Sequence, residues 1–209
     1  MLGPAVLILE PFPGLVLVRA PIASRAMPPS TQSLRNLDDS ALSPRVLAAL
    51  REISHRLREG GVRHAVVGAL AVGVYGWPRA TKDVDLLLGD EAWDRLPGGD
   101  LRARVPLPEE IDGVGIDYLP LEVGGAFLES ALDRPLVSEG IPIAPPEVLV
   151  CTKLLWMAMR DQADIIEIVK AGLIDRDAVR RFLDEHTPML LGRWDALVAQ
   201  ADTERRREG

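Results

Sequence analysis

The run Asp83-Val84-Asp85-Leu86-Leu87-Leu88 constrains this chain most. It is apolar enough for an interior strand, yet it opens with two carboxylates one residue apart. A buried carboxylate costs several kcal/mol unless something pairs with it. In a strand, residues two apart point to one face, so Asp83 and Asp85 project together while Val84 and Leu86 face the other way. Two parallel carboxylates repel, and one is driven neutral unless a cation sits between them. Magnesium answers this need, because it takes oxygen ligands at about 2.0–2.1 Å from one or two carboxylates plus substrate phosphates. A third carboxylate on a neighbouring strand completes a site for two ions about 3.5–4 Å apart. Asp117, in the alternating stretch GVGIDYLPL, is the natural third member, and Glu122 is the competing candidate. The bland alternative is a solvated strand end with Asp117 in a turn.

The rest of the sequence excludes several other chemistries. Gly68 and Gly73 have the spacing of a phosphate loop's glycines, but Val74-Tyr75 stands where Lys-Ser/Thr is required. No G-x-S-x-G elbow occurs. The three histidines, His55, His64 and His186, are scattered, which argues against zinc. Among 209 residues there is one cysteine, Cys151, so no intrachain disulfide forms and a reducing cytoplasm fits. Cys151 reads as a small apolar filler. A net charge of −7 argues against a broadly basic surface that coats nucleic acid, though a local basic groove is compatible with it. No apolar run is long enough to span a bilayer.

Residues 1–42 read as a poorly ordered leader and linker, with Met27 as the natural start. Residues 43–144 read as an α/β core and 145–209 as a helical C-terminal region. Ser43-Pro44 signals a helix start, followed by Val46, Leu47, Leu50, Ile53 and Leu57 at helical spacing and stopped by Gly60-Gly61. A strand over 63–67, a short helix over 69–76, the loop GWPRAT and a strand over 83–88 follow. DEAWDRL reads as a helix. EEIDGVGIDYLPLE reads as a hairpin around Asp112-Gly113, with a strand over 114–120. Further expectations are a helix near 125–133, one strand over 136–143, one long helix over 146–171, and helices over 175–186 and 190–204. The charged tail TERRREG reads as frayed. The fold class is α+β: a small mixed sheet flanked by helices, then a helical C-terminal half.

Gly68 follows an apolar strand and opens a helix, where backbone N–H groups favour a phosphate. Thirteen residues separate Ala69 from Asp83. A strand ending in Gly-Gly or Gly-Ser, a helix and then Asp-x-Asp after such an interval is similar to the nucleotidyltransferase superfamily of DNA polymerase β type. Within it, VVGALAVGVYGWPRATKDVDLLL resembles the abortive-infection (AbiEii-type) toxins and their pattern G-x-x-R-x-T-x-D-x-D, here Gly76, Arg79, Thr81, Asp83 and Asp85. Downstream, PPEVLVCTKLLWMAMRDQADIIEI resembles that family's Lys-Leu helix with its acidic cluster, here Lys153, Leu154, Arg160, Asp164 and Glu167. The chain departs from the pattern at Ala69, where glycine or serine is usual, and at Ala163, where lysine is usual.

The resemblance implies a metal-dependent transfer of NMP from an NTP to a hydroxyl, with two Mg2+ ions held by Asp83, Asp85 and Asp117. It also implies that Asp117 acts on the attacking hydroxyl. Gly68, Ala69, Arg79, Thr81, Lys82 and Lys153 would meet the nucleotide. The acceptor would be tRNA in a toxin-type enzyme, with an antitoxin as partner. The alternatives are a small-molecule acceptor of the aminoglycoside kind and a non-catalytic module that keeps the fold. From the residues themselves, Arg79 also reads as a loop-surface arginine and Thr81 as a strand-start residue. Lys153 either snorkels or meets a phosphate. Arg160, Asp164 and Glu167 share a helix face and read as i,i+3 and i,i+4 ion pairs.

Overall fold

A computed structural model describes residue 34 and residues 43–121 and 127–208. The expectations for Glu122 and for most of the leader and linker lie outside these residues, but at Leu34 the linker reading is corrected: Leu34 is buried in the core and its N–H donates to the Ser138 hydroxyl at 3.0 Å.

Helix α1 (Pro44–Glu59) begins where the sequence signals it: the Ser43 hydroxyl accepts from the Arg45 N–H at 3.3 Å, with Pro44 in the first turn. Its buried face carries Val46, Leu47, Leu50, Ile53 and Leu57. Strand β1 (His64–Val66), helix α2 (Gly68–Val74) and strand β2 (Asp83–Leu88) follow. Strands β3 (Trp93–Arg95) and β4 (Leu101–Ala103) pair only with each other. Strands β5 (Glu110–Ile111) and β6 (Val114–Pro120) form the predicted hairpin, turning at Asp112 (φ 50) and Gly113 (φ 81). Helix α3 (Glu129–Asp133) leads to strands β7 (Leu136–Ser138) and β8 (Ile141–Ile143). The C-terminal half is helical: α4 (Pro146–Trp156), α5 (Met159–Lys170), α6 (Arg176–His186) and α7 (Leu191–Glu208).

The main sheet is mixed, in the order β5-β6-β2-β1-β8-β7. The pairs β2/β6 and β1/β8 are parallel, and the remaining neighbours are antiparallel. One apolar core runs from Leu34 and α1 through the sheet to Ala201 in α7, so the helical half shares the sheet's core. The α+β class is as expected. No helix among the described residues is long and apolar enough to cross a membrane. Cys151 is buried beside Thr187 and its thiol is pushed up to about 12 by burial, which suits an inert filler.

Four local expectations are corrected. DEAWDRL is not a helix but a 3-10 turn (Asp90–Ala92) followed by β3. Pro97 cannot donate to a continuing helix, and Gly98 and Gly99, at φ 107 and 95, reverse the chain. Asp94 then binds Arg102 Nη2 on the facing strand at 3.2 Å and Arg104 Nε just past its end at 2.6 Å. Residues 136–143 form two strands, because Glu139 and Gly140, at φ 51 and 76, supply the two left-handed positions of a tight hairpin turn. The long helix over 146–171 is broken at Met157, which is left-handed at φ 48. Asp161 then accepts the Ala158 N–H at 3.2 Å, which satisfies a donor at the restart. The tail is not frayed, because α7 runs to Glu208, whose carboxylate meets Lys170 Nζ at 2.7 Å.

His64 sits buried against α1. Its Nε2 lies 2.7 Å from the Ser54 hydroxyl and its Nδ1 lies 3.2 Å from the Val62 carbonyl. Burial lowers its pKa, so the folded protein holds it neutral. Below the ordinary histidine pKa of 6.5 the unfolded chain then binds more protons than the folded one, and stability falls as pH falls. Wild type is therefore expected to lose stability relative to His64→Gln between pH 7.5 and pH 5 in urea denaturation. Parallel pH curves for the two proteins would refute this assignment.

Candidate active site

The β2/β6 register decides where the three aspartates stand. Asp85 is the direct partner of Asp117, and Asp83 is the partner of Gly115. Period-two alternation then puts Asp83, Asp85 and Asp117 on one face of two adjacent strands. Asp83 and Asp117 are exposed, and Asp85 is partly buried. The other face is mainly apolar, with Val84, Leu86 and Leu88 all at 0% exposure and Ile116 at 4%. Further along the carboxylate face, Leu87 pairs with Leu119 and is buried.

Two glycines make room for the carboxylates. Gly68 opens α2 at φ 63, and a Cβ built there would fall on the Asp85 carboxylate. A Cβ on Gly115 would come within 2.8 Å of Asp83 Oδ1. Asp85 thus leans toward Gly68 beyond β1, while Asp83 leans toward β6, so the two carboxylates splay apart. The Val67 N–H donates to the Asp85 carbonyl at 3.0 Å and ties the end of β1 to this point. Among the described residues, no three His, Cys, Asp or Glu side chains are gathered into a group able to hold a metal ion.

Electrostatics single out Asp85. Its carboxyl is pushed up to about 6, first by burial and then by repulsion from Asp117. Lys153 pulls it back, Asp83 adds repulsion and Arg79 adds attraction. Asp83 and Asp117 are open to solvent, and the three carboxylates offer oxygen donors of the kind a hard divalent cation takes.

The remaining predicted residues divide into two groups. The Thr81 hydroxyl donates to the Asp83 carbonyl at 3.3 Å, which makes it a strand-start residue. Lys82 is exposed beside it, and Ala69 is buried on α2. Arg79 and Lys153 instead meet on Asp164. Arg79 donates Nε and Nη2 to the two Asp164 oxygens at 2.7 and 2.9 Å. Lys153 Nζ donates to Asp164 Oδ2 at 2.7 Å and to Asp161 Oδ1 at 2.9 Å. Lys153 and Asp164 are only 3% and 2% exposed, so Lys153 does not snorkel to solvent. These hydrogen bonds to Asp164 also raise the Arg79 pKa further. The sequence reading paired Asp164 within its own helix and overlooked Gly115. An acidic residue among Ile165, Ile166 and Ile168 was the available signal for a distant partner, because a carboxylate set in an apolar stretch needs one.

No protein-family model matches the chain, and no curated protein matches it. Among solved structures it is similar to the crystal structure of an antigenic nucleotidyltransferase-like protein from Paracoccidioides brasiliensis. The identity is 16% and the TM-score 0.39, over 74% of this chain and 94% of that one.

The raised Asp85 pKa carries a stability consequence. The unfolded chain loses this proton near the ordinary 3.8, whereas the folded chain keeps it to about 6. Between those values the folded state binds more protons, so stability of the metal-free protein falls as pH rises. At about 1.4 kcal/mol per pKa unit, metal-free Asp85→Asn should exceed wild type by up to about 3 kcal/mol at pH 8. The gap should close toward pH 4. Denaturation in EDTA at both pH values checks it, and a less stable variant at pH 8 would contradict the assignment.

Proposed function

We propose that this protein is a metal-dependent nucleotidyltransferase, which moves NMP from an NTP to a hydroxyl acceptor. The observation that carries the reading is the Asp85–Asp117 pairing across parallel strands, with Asp83 on the same face and Gly68 against Asp85. Asp83, Asp85 and Asp117 would hold two Mg2+ ions. Such ions supply charge stabilisation at the reacting phosphoryl group and at the leaving pyrophosphate. The acceptor oxygen bonds the α-phosphorus, the bond to the β-phosphate bridge breaks, and pyrophosphate leaves. Asp117, exposed at the outer side of the pair, takes the hydroxyl proton on a carboxylate oxygen. Arg79 would present charge to the triphosphate through its planar fork from the loop before β2, with the buried Lys153 adding positive potential from α4 behind it.

The resemblance to the abortive-infection (AbiEii-type) toxins supports tRNA as acceptor and an antitoxin as partner. The net charge of −7 favours a small-molecule acceptor instead. A second reading, a non-catalytic module that binds nucleotide, draws on one observation: Arg79 and Lys153 are both already engaged by Asp164.

Incubation with each α-labelled NTP and Mg2+, with and without bulk tRNA, tests the reading. Label should pass to the RNA or to a small hydroxyl compound. Asp83→Asn and Asp117→Asn should each lower turnover by at least on the order of a hundredfold while the protein stays folded. Near-wild-type turnover in either variant removes the two-ion mechanism, and nucleotide binding without transfer selects the module.

A further inference from the structure

The buried Asp164 carboxylate is the meeting point of three segments. Arg79 comes from the loop between α2 and β2, Lys153 from the last turns of α4, and Asp164 itself from α5. The loop residues around Arg79 otherwise have little to hold them: Trp77, Pro78, Ala80 and Lys82 are exposed. Arg79 is fixed by two hydrogen bonds to one carboxylate, and the in-plane fork leaves its orientation no freedom. Lys153 is fixed by two acids, Asp161 and Asp164, which use two of its three protons. Asp161 also accepts the Ala158 N–H, so the break between α4 and α5 belongs to the same arrangement. Arg79 lies in the loop that leads into β2, four residues before Asp83, so the group it forms with Asp164 and Lys153 stands beside the start of the carboxylate-bearing strand. The Arg79 side chain is part-exposed and, beyond a 3.4 Å contact of Nη1 with the Ala80 carbonyl, keeps N–H groups for that face, whereas Lys153, at 3% exposure, stands behind it.

We infer that Asp164 is a positioning residue for nucleotide binding: its buried carboxylate, itself held by Lys153, locks the Arg79 guanidinium beside the Asp83–Asp85–Asp117 face, where Arg79 receives the triphosphate. This rests on the nucleotidyl-transfer reading above and adds to it the element that aims the phosphate-binding charge. A lone surface arginine would spend conformational entropy on binding, whereas one already held by a buried carboxylate has lost that freedom on folding.

The test uses the full chain and two readouts. Backbone hydrogen exchange over residues 77–82 is measured without nucleotide in wild type, Asp164→Asn and Arg79→Lys. Arg79→Lys keeps the charge and leaves the buried Lys153–Asp164 pair intact, so it covers the case in which Asp164→Asn fails to fold. Exchange should quicken by on the order of tenfold in both variants, because the loop then opens locally. Mg-ATP affinity by equilibrium dialysis should fall by on the order of tenfold or more in Asp164→Asn and in Arg79→Ala. The double variant should lose less than the product of the single losses, because the two residues act through one another. Unchanged exchange in the variants, or losses that simply multiply, would overturn the positioning role. A wild-type chain that binds none of the four Mg-NTPs would instead sink the nucleotide reading, and the inference with it, whatever the exchange shows.

Discussion

The structure is organised around one electrostatic conflict, the placement of Asp85 directly opposite Asp117 on parallel neighbouring strands. A strand ladder brings paired residues within about 5 Å at the Cα atoms. Two carboxylates at that spacing oppose the pairing that their own backbones make. Strand pairing survives because the conflict is confined to the start of β2 and the middle of β6. Beyond it, Leu86, Leu87 and Leu88 are all at 0% exposure. Apolar burial at roughly 25 cal/mol per Å2 gives each of these leucines about 1.5–3 kcal/mol, enough to hold the register against the repulsion. A slip by one residue would turn Asp83 and Asp85 into the apolar side and Val84, now at 0% exposure, out of it, so the burial of Val84 keeps the acids aimed.

The helical half answers the same conflict from the other side. Lys153 and Arg79 approach Asp85 and offset part of the repulsion from Asp117 and Asp83. A buried lysine is itself costly, and it is tolerated because Asp161 and Asp164 both accept from it. Asp161 comes from the first turn of α5 and Lys153 from near the end of α4. A continuous helix would carry these two residues apart along its axis, at about 1.5 Å per residue. The left-handed Met157 folds α5 back so that they meet. The interruption of the helix and the buried ion cluster are therefore one feature.

This explains which parts of the molecule were legible in the sequence. Helix α1, strand β2 and the Asp112-Gly113 hairpin announce themselves through caps, period and turn chemistry, all of which are local. The shared face of Asp83 and Asp85 follows from strand period alone, and the placement of Asp117 beside them needed only that β6 pair with β2. The break at Met157 was not legible, because Leu155, Trp156, Met157 and Ala158 carry neither glycine nor proline. Its cause is the distant partnership of Lys153 with Asp161 and Asp164, which outweighs local propensity. DEAWDRL misled for a similar reason. Its composition suits a helix, but the cross-strand bonds of Asp94 to Arg102 and Arg104 exist only once the hairpin forms.

Gly68 and Gly115 complete the physical argument. A carboxylate on a strand has room above the sheet only if its neighbours leave it, and here each neighbour is the one residue without a side chain. Gly68 also holds a positive φ, which an L side chain adopts only at a cost. The room lets Asp83 lean toward Gly115 and Asp85 toward Gly68, which eases the repulsion between them. Rotating both side chains toward Asp117 would gather three negative charges and raise the energy again, unless positive charge arrives with the rotation. A sheet surface built in this way keeps its acids on one face because the glycines beside them leave the room and the leucines beyond them hold the strands.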